Sequence, residues 1–287
     1  MIKLRFYLPL ALSWVIGSGC SDKLPDYSQL STLRVLAIQA STPEVSDTGA
    51  TVTLTPWISD INGSGRDLQY SYQACIDPGI RFGAQPSCGE SFNVPVPLTA
   101  IGATRHTYTG AAPHFNITLP TGVLTSGALI SATQQFNGIA YLVVYRLQSS
   151  DGKDTVTAFK RIIVSTNPTK NKNPTINSVL SENASLTLVP ATSPYPAAKA
   201  KLSVTMSPDS QETYQVSQTD GSQSSSVESI SLTWFYSDGT TQLSRTFPAT
   251  PNEWTLPSPL PSARSAVIVV VAHDGRGGID VQQVEFR

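Results

Sequence analysis

Three groups of residues in this 287-residue chain could do chemistry: cysteines, a run of oxygen donors, and histidines. Cys75 and Cys88 sit close together around a segment, Ile76-Asp77-Pro78-Gly79 through Pro86-Ser87, whose composition reads as a loop. A disulfide between them would close that loop and stabilise the fold by about 3 kcal/mol. Two reduced, buried thiols are the alternative. Zinc would need further ligands, and no histidine lies near the pair in sequence. Asp60, Asn62, Ser64 and Gly65 follow the first half of a calcium loop, with Asp67 as a further oxygen donor. The twelfth position, where a bidentate Glu is needed, is Ser71, and the flanks read as strands. The segment therefore reads as a polar turn between two strands, with a weak calcium site as the alternative. His106 and His114 lie in a loop-rich stretch and His273 near an Asp-Gly turn, and none has further metal ligands at helical or hairpin spacing. No Gly-x-Ser-x-Gly elbow and no phosphate-cradling glycine loop occurs, and no serine has a recognisable base and orienter. The expectation is a non-enzyme without cofactor.

The third cysteine, Cys20, is placed differently. Lys3 and Arg5 precede an apolar run from Phe6 to Ile16, then Gly17, Ser18 and Gly19. A basic start, a short apolar middle and small residues at the cut make an export signal. The run is too short for a bilayer span, which needs about 20 apolar residues. A cysteine at the expected cut resembles the lipobox of bacterial lipoproteins, although Gly17 stands where those usually carry Leu. The resemblance implies that Cys20 is acylated (palmitate among its chains) and becomes the new N-terminus. Cleavage by a general signal peptidase after the small residues is the other reading. If Cys20 carries lipid, Cys75 and Cys88 remain as a pair in an exported, disulfide-permissive chain.

Composition agrees with an exported β protein. Hydrophobic residues make up 40% and charged residues only 14%, with 21 Pro and 19 Gly spread along the chain. The net charge of −1 and the lack of a basic stripe argue against nucleic acid as a partner. Residues 1–19 read as the signal, and 20–32 as a polar tether carrying the lipidated cysteine. A segment without apolar residues, 167–174, reads as a solvated linker. The stretches on either side, 33–166 and 175–287, repeat the same features in order. Alternating strands run through "ATVTLTPWISD" and "AKLSVTMSPD", then through Leu68 to Ala74 and Ile230 to Tyr236. Asn116 to Pro120 echoes Glu253 to Pro257. "AYLVVYRL" and "AVIVVVA" read as buried strands, each followed by an Asp-Gly turn (Asp151-Gly152, Asp274-Gly275) and a last strand. The fold class is all-β: two tandem sandwiches, each expected to fold alone.

The order of elements resembles immunoglobulin-like modules of the polycystic-kidney-disease or cadherin-like type, with "VVVAHDGRGGIDVQQVEF" from Val269 as the best local match. Trp234, and Tyr72 at the matching place, would then be the large core residue of the third strand. With "LRVLAIQASTPEV" from Leu33 following a signal and cysteine, the chain is similar to lipoproteins of Gram-negative bacteria. In that likeness Ser21 after Cys20 implies transport to the outer membrane. The functional expectation is a lipid-anchored envelope protein presenting a non-catalytic surface for adhesion or protein–protein interaction. Its partners would be the membrane and an envelope protein or polysaccharide. The disulfide loop and the Ser/Gln-rich insert from Asp209 to Glu228 are the candidate loops. The alternative is an exported carbohydrate-binding module using Trp57 or Trp254 as a stacking platform.

Overall fold

A computed structural model describes residues 27–63, 65–80, 84–98, 109–125, 130–181, 184–186, 192–193, 199–256 and 266–286. Cys20, Ser64, His106 and the signal segment lie outside the described residues. The first half contains β1 (Arg34–Ala40), β2 (Glu44–Val45), β3 (Thr51–Ser59), β4 (Leu68–Ile76), β5 (Val96–Pro97), β6 (Thr109–Ala111) and β7 (Phe115–Thr118). A single turn and a half of helix, α1 (Ala132–Asn137), precedes β8 (Ile139–Ser149) and β9 (Thr155–Val164). One sheet has the order β1-β3-β6, with β7 also on β3, and the facing sheet runs β2-β9-β8-β4-β5.

The second half repeats the plan. Its strands are β10 (Ile176–Ser181), β11 (Ala184–Leu186), β12 (Thr192–Ser193), β13 (Lys199–Met206), β14 (Thr213–Ser217) and β15 (Gln223–Val227), then β16 (Ser231–Tyr236), β17 (Thr240–Thr241), β18 (Arg245–Thr246), β19 (Asn252–Thr255), β20 (Ala266–His273) and β21 (Ile279–Phe286). Sheets β11-β10-β13-β19-β17 and β12-β21-β20-β16-β18 face each other. In both halves a short early segment crosses over and pairs parallel with the last strand, β2 with β9 and β12 with β21. All other ladders are antiparallel, which gives the immunoglobulin-like sandwich twice.

Each half has its own core. In the first, Tyr145 is fully buried and stacks with Tyr70 and Phe115 at 5.5 and 5.8 Å. Tyr72 is only half-buried, against Phe115. In the second, Trp234 and Trp254 are both fully buried. Their indole N–H groups donate to Thr246 Oγ1 (2.8 Å) and to the Asp238 carbonyl (2.9 Å), so neither donor is left unsatisfied.

A third apolar cluster joins the halves. Leu30, Leu36 and Ile61 of the first meet Phe235, Val269, Val271, Ile279 and Val281 of the second. The last group is the outer face of the β16-β20-β21 sheet, whose inner face carries Trp234, Ile268, Val270 and Ala272. Both faces are covered, and this is why β20 reads as an unbroken apolar run rather than an alternation. A β-bulge between Val35 and Ala37 turns Leu36 out to this cluster while Ile38 stays in the first core.

Three expectations are corrected here. The end of the tether, from Tyr27 on, is docked: Leu30 is 2% exposed and its N–H donates to Tyr236 O at 2.7 Å. The linker is not a solvated hinge, because Asn167 and Asn171 are buried and hydrogen-bonded to both halves. Polar side chains replace apolar ones as the packing groups of this segment. The insert from Asp209 to Glu228 is no loose loop either. After a 3-10 turn, β14 and β15 form a hairpin. It docks on α1 through Thr133 Oγ1 to Gln218 O (3.0 Å) and a reciprocal pair between Asn137 and Ser217.

Candidate functional site

The junction between the halves concentrates the charged chemistry. Arg276, in the turn between β20 and β21, donates to Glu44 of the first half at 2.9 Å and to Glu228 of the second at 3.0 Å. Its guanidinium lies 4.1 Å from the Tyr214 ring centroid. A planar, delocalised cation suits this position between two carboxylates and an aromatic face. Glu44 also accepts the N–H of Asn171 (3.0 Å) and the Ser165 hydroxyl. Asn171 Nδ2 reaches Asp274 Oδ2 at 2.8 Å, and Asp274 accepts the N–H groups of Arg276 and Gly278. The linker is thus threaded through a buried polar network with every charge paired or hydrogen-bonded.

Beside this network a cleft of about 930 Å³ opens between β9, the start of the chain's described part at Tyr27, the β14–β15 hairpin and the β20–β21 turn. That volume is in the range of ligand sites, which favour domain junctions. Lys160 lines it, although the residue is only 6% exposed, and donates to Gly277 O across the junction. Burial draws its pKa down to about 8, against a smaller pull upward from Asp274. His273 also lines the cleft. Burial, with the nearby Arg245 and Lys160 charges, lowers its pKa to about 4, so its imidazole is neutral at pH 7. Burial raises the pKa of Asp274, Glu228 and Asp280. No serine, threonine or cysteine side chain is hydrogen-bonded to the His273 imidazole or the Lys160 amine among the described residues. The arrangement offers charge and hydrogen bonds for binding.

Of the residues singled out from sequence, His273 lines this cleft and the other described ones fall elsewhere. Cys75 and Cys88 form a disulfide with Cα atoms 5.7 Å apart. It staples the loop leaving β4, and that loop runs back along the same strand. Asn93 Oδ1 accepts the Tyr72 N–H at 2.6 Å, and Asn93 N–H donates to Tyr72 O at 3.1 Å. The calcium alternative loses its first ligand: Asp60 accepts Arg66 through both oxygens at 2.9 Å. Asn62 donates to Ser31 O at 2.7 Å, and Asp67 is exposed. A guanidinium already neutralises the carboxylate that calcium would need. No group of three or more His, Cys, Asp or Glu side chains able to hold a metal occurs among the described residues. His114 is exposed. Trp57 is half-buried against the cluster joining the halves, and Trp254 is fully buried and presents no stacking face.

Lys160, Arg276 and Glu44 carry no motif. One signal was present: in Val156, Ala158, Lys160, Ile162, Val164 the period of two places a lysine in the apolar row of an otherwise amphipathic strand.

No family model matches the chain, and no curated protein sequence matches it. Among solved structures, dimeric latent PorU from Porphyromonas gingivalis is similar with a TM-score of 0.24 and 9% identity. That match covers 90% of this chain and 24% of the PorU chain, so the chain spans about a quarter of that protein's length. No helix among the described residues is long and apolar enough to cross a membrane.

Proposed function

We propose that the chain is a lipoprotein of the bacterial outer membrane, anchored through Cys20, that presents a non-catalytic binding surface at the cell envelope. The observation that supports this reading best is the way the two sandwiches are held. A shared apolar cluster and a buried ion network fix two loop-bearing scaffolds against each other. Fixed scaffolds with exposed loops are suited to presenting a surface, because loops placed on rigid elements lose little entropy on binding. The segment after Cys88 contributes Val94, 82% exposed, and the hairpin contributes Val227, 60% exposed. The carbohydrate alternative rested on Trp57 and Trp254, both drawn inward, and no observation now favours it.

The anchoring is tested by Cys20→Ala in the full chain. Stable anchoring takes more than one acyl chain, so the variant is expected in the soluble envelope fraction, with the lipid mass gone from the N-terminal peptide. A variant that stays with the membrane, or wild-type protein without lipid on Cys20, would refute it. Cross-linking in intact cells, with surface protease accessibility alongside, then tests for a partner and for the face on which it is met.

A further inference from the structure

The cleft has a second property besides its charge: one wall is a sheet edge that the described residues leave unpaired. β9 is paired along its length with β8, but on its other side, among the described residues, only Ile163 and Val164 are paired, by β2. There the N–H groups of Ile163 and Ser165 donate to Pro43 O and Val45 O. Backbone groups alternate sides along a strand, so those of Thr157, Phe159 and Arg161 point to the same side; the Arg161 carbonyl there faces Gly277 of the β20–β21 turn, where a Cβ would stand 3.7 Å from it, and Thr157 and Phe159 line the open cleft. Unpaired strand edges bind other strands unless something blocks them.

Charge and apolar surface lie beside that edge. Lys160 has three donors and, among the described residues, one acceptor, Gly277 O. The nearest acidic influence on it, Asp274, is already taken by Asn171 and two backbone N–H groups. Arg161 uses its Nε on Asp77 at 2.5 Å, which leaves its terminal nitrogens. Phe159, 42% exposed, packs under the Arg161 guanidinium at 5.0 Å. Val35, Ile38 and Val216 supply apolar lining, and the one acid in the lining, Glu44, is neutralised by Arg276.

We propose that this edge takes an extended peptide with a free C-terminal carboxylate, paired strand-to-strand with Thr157 to Phe159 and with its carboxylate on Lys160. Main-chain pairing would give affinity, and the charged end with alternate side chains would give selectivity. This goes beyond the anchoring reading and does not rest on it, since it is tested on detergent-purified full-length protein.

The probe is a fluorescein-labelled pentapeptide of alternating Val and Thr with a free C-terminus, compared with the same peptide amidated. Fluorescence anisotropy should show the acid binding at least about tenfold tighter than the amide, the scale of one charge-assisted hydrogen bond. Lys160→Met should bring the two peptides to equal affinity. Phe159→Pro removes an outward N–H at an edge position that tolerates proline, and should abolish binding of both with the melting temperature kept. Should that variant fail to fold, hydrogen exchange decides: bound acid peptide must slow the wild-type amides of Thr157 and Phe159. No binding up to about 1 mM, equal binding of acid and amide, or protection elsewhere would overturn the proposal. So would a Lys160→Met protein that self-associates while the wild type ignores both peptides, since Lys160 would then only guard the edge.

Discussion

A lysine ammonium held almost out of water is costly unless its charge is matched, and Lys160 shows the cost in its pKa of about 8. The groups around it are Arg161 on its own strand, His273, Asp274 and Arg276 on β20 and its turn, and Glu44 on β2. Below pH 8 the amine is protonated in both folded and unfolded chains, and the whole penalty is present. Between about 8 and 10.5 the unfolded chain holds the proton and the folded one does not, so stability rises with pH. Lys160→Met should therefore stabilise the protein at pH 7 by about 1–3 kcal/mol, the lost bond to Gly277 offsetting part of the gain. The gain should shrink towards pH 10.5. Chemical denaturation across that range checks it, and a destabilised Met variant at pH 7 would contradict it. His273 works on the acid side. Its folded pKa of about 4 lies below the ordinary 6.5, so its contribution is whole above 6.5 and is lost as pH falls to 4. The raised carboxyls of Asp274, Asp280 and Glu228 act in the opposite sense, gaining stability as they protonate. Comparing wild type with His273→Gln isolates the imidazole. The stability difference should move by about 3 kcal/mol against the wild type between pH 7 and 4, and a flat difference would show the ring to be solvated. At this scale the sequence was legible only where a residue type implies its own chemistry. Cys75 and Cys88 had few alternatives to pairing, whereas Glu44 and Arg276 gain their role from a contact across 232 positions.

Among the elements, strand existence was readable because period-two patterning survives wherever one face is wet. β3, with Val52, Leu54 and Ile58 inward, is the clear case. Reading failed where polar residues are the packing groups. Ser71 and Gln73 look like the solvent face of β4 but are 3% and 5% exposed. The Ser/Gln-rich insert looked like a loop because Tyr214 and Val216 are the apolar pair of β14 and face serines, Ser226 and Ser224, on β15. Its hold on the rest is hydrogen bonding to α1 and the Tyr214 ring against Arg276. The β20–β21 turn makes the sharpest prediction for an element. A Cβ at Gly278 would stand 2.1 Å from Asp274 Oδ2 and 2.7 Å from the Lys172 carbonyl. Gly278→Ala must move Asp274 or the linker, and breaking a buried hydrogen-bonded network costs about 2–4 kcal/mol. Gly152, in the corresponding turn of the first half, has open space at its Cβ and a φ of +72°. Gly152→Ala should cost only the backbone strain, about 1 kcal/mol. Thermal melts of the two variants compare them directly, and equal losses would mean that the network around Asp274 carries little stability.

For the molecule as a whole, two cores in one chain do not make two independent bodies. The outer face of β16-β20-β21 would be bare without the first half, exposing Phe235, Val269, Val271, Ile279 and Val281 together. Each such side chain gains about 1.5–3 kcal/mol on burial, so the junction is comparable in gross energy to a small core. Sequence could show that both halves had their own alternating strands. It could not show which of two apolar faces on β20 met which neighbour, because a strand buried on both sides has no phase to read. The expectation that each half folds alone therefore needs restating: the halves should be thermodynamically coupled. Separate fragments 27–166 and 167–287 should associate one-to-one when mixed, as seen by sedimentation, and the second alone should melt lower than in the intact chain. Val269→Asp with Val271→Asp in the second fragment should prevent the association. The substitutions face away from Trp234 and Val270, so the fragment's own core is spared and its circular dichroism should stay β-type. Fragments that ignore each other, and that melt separately where the intact chain melts, would show that the shared cluster contributes nothing and that the two sandwiches are beads on a string.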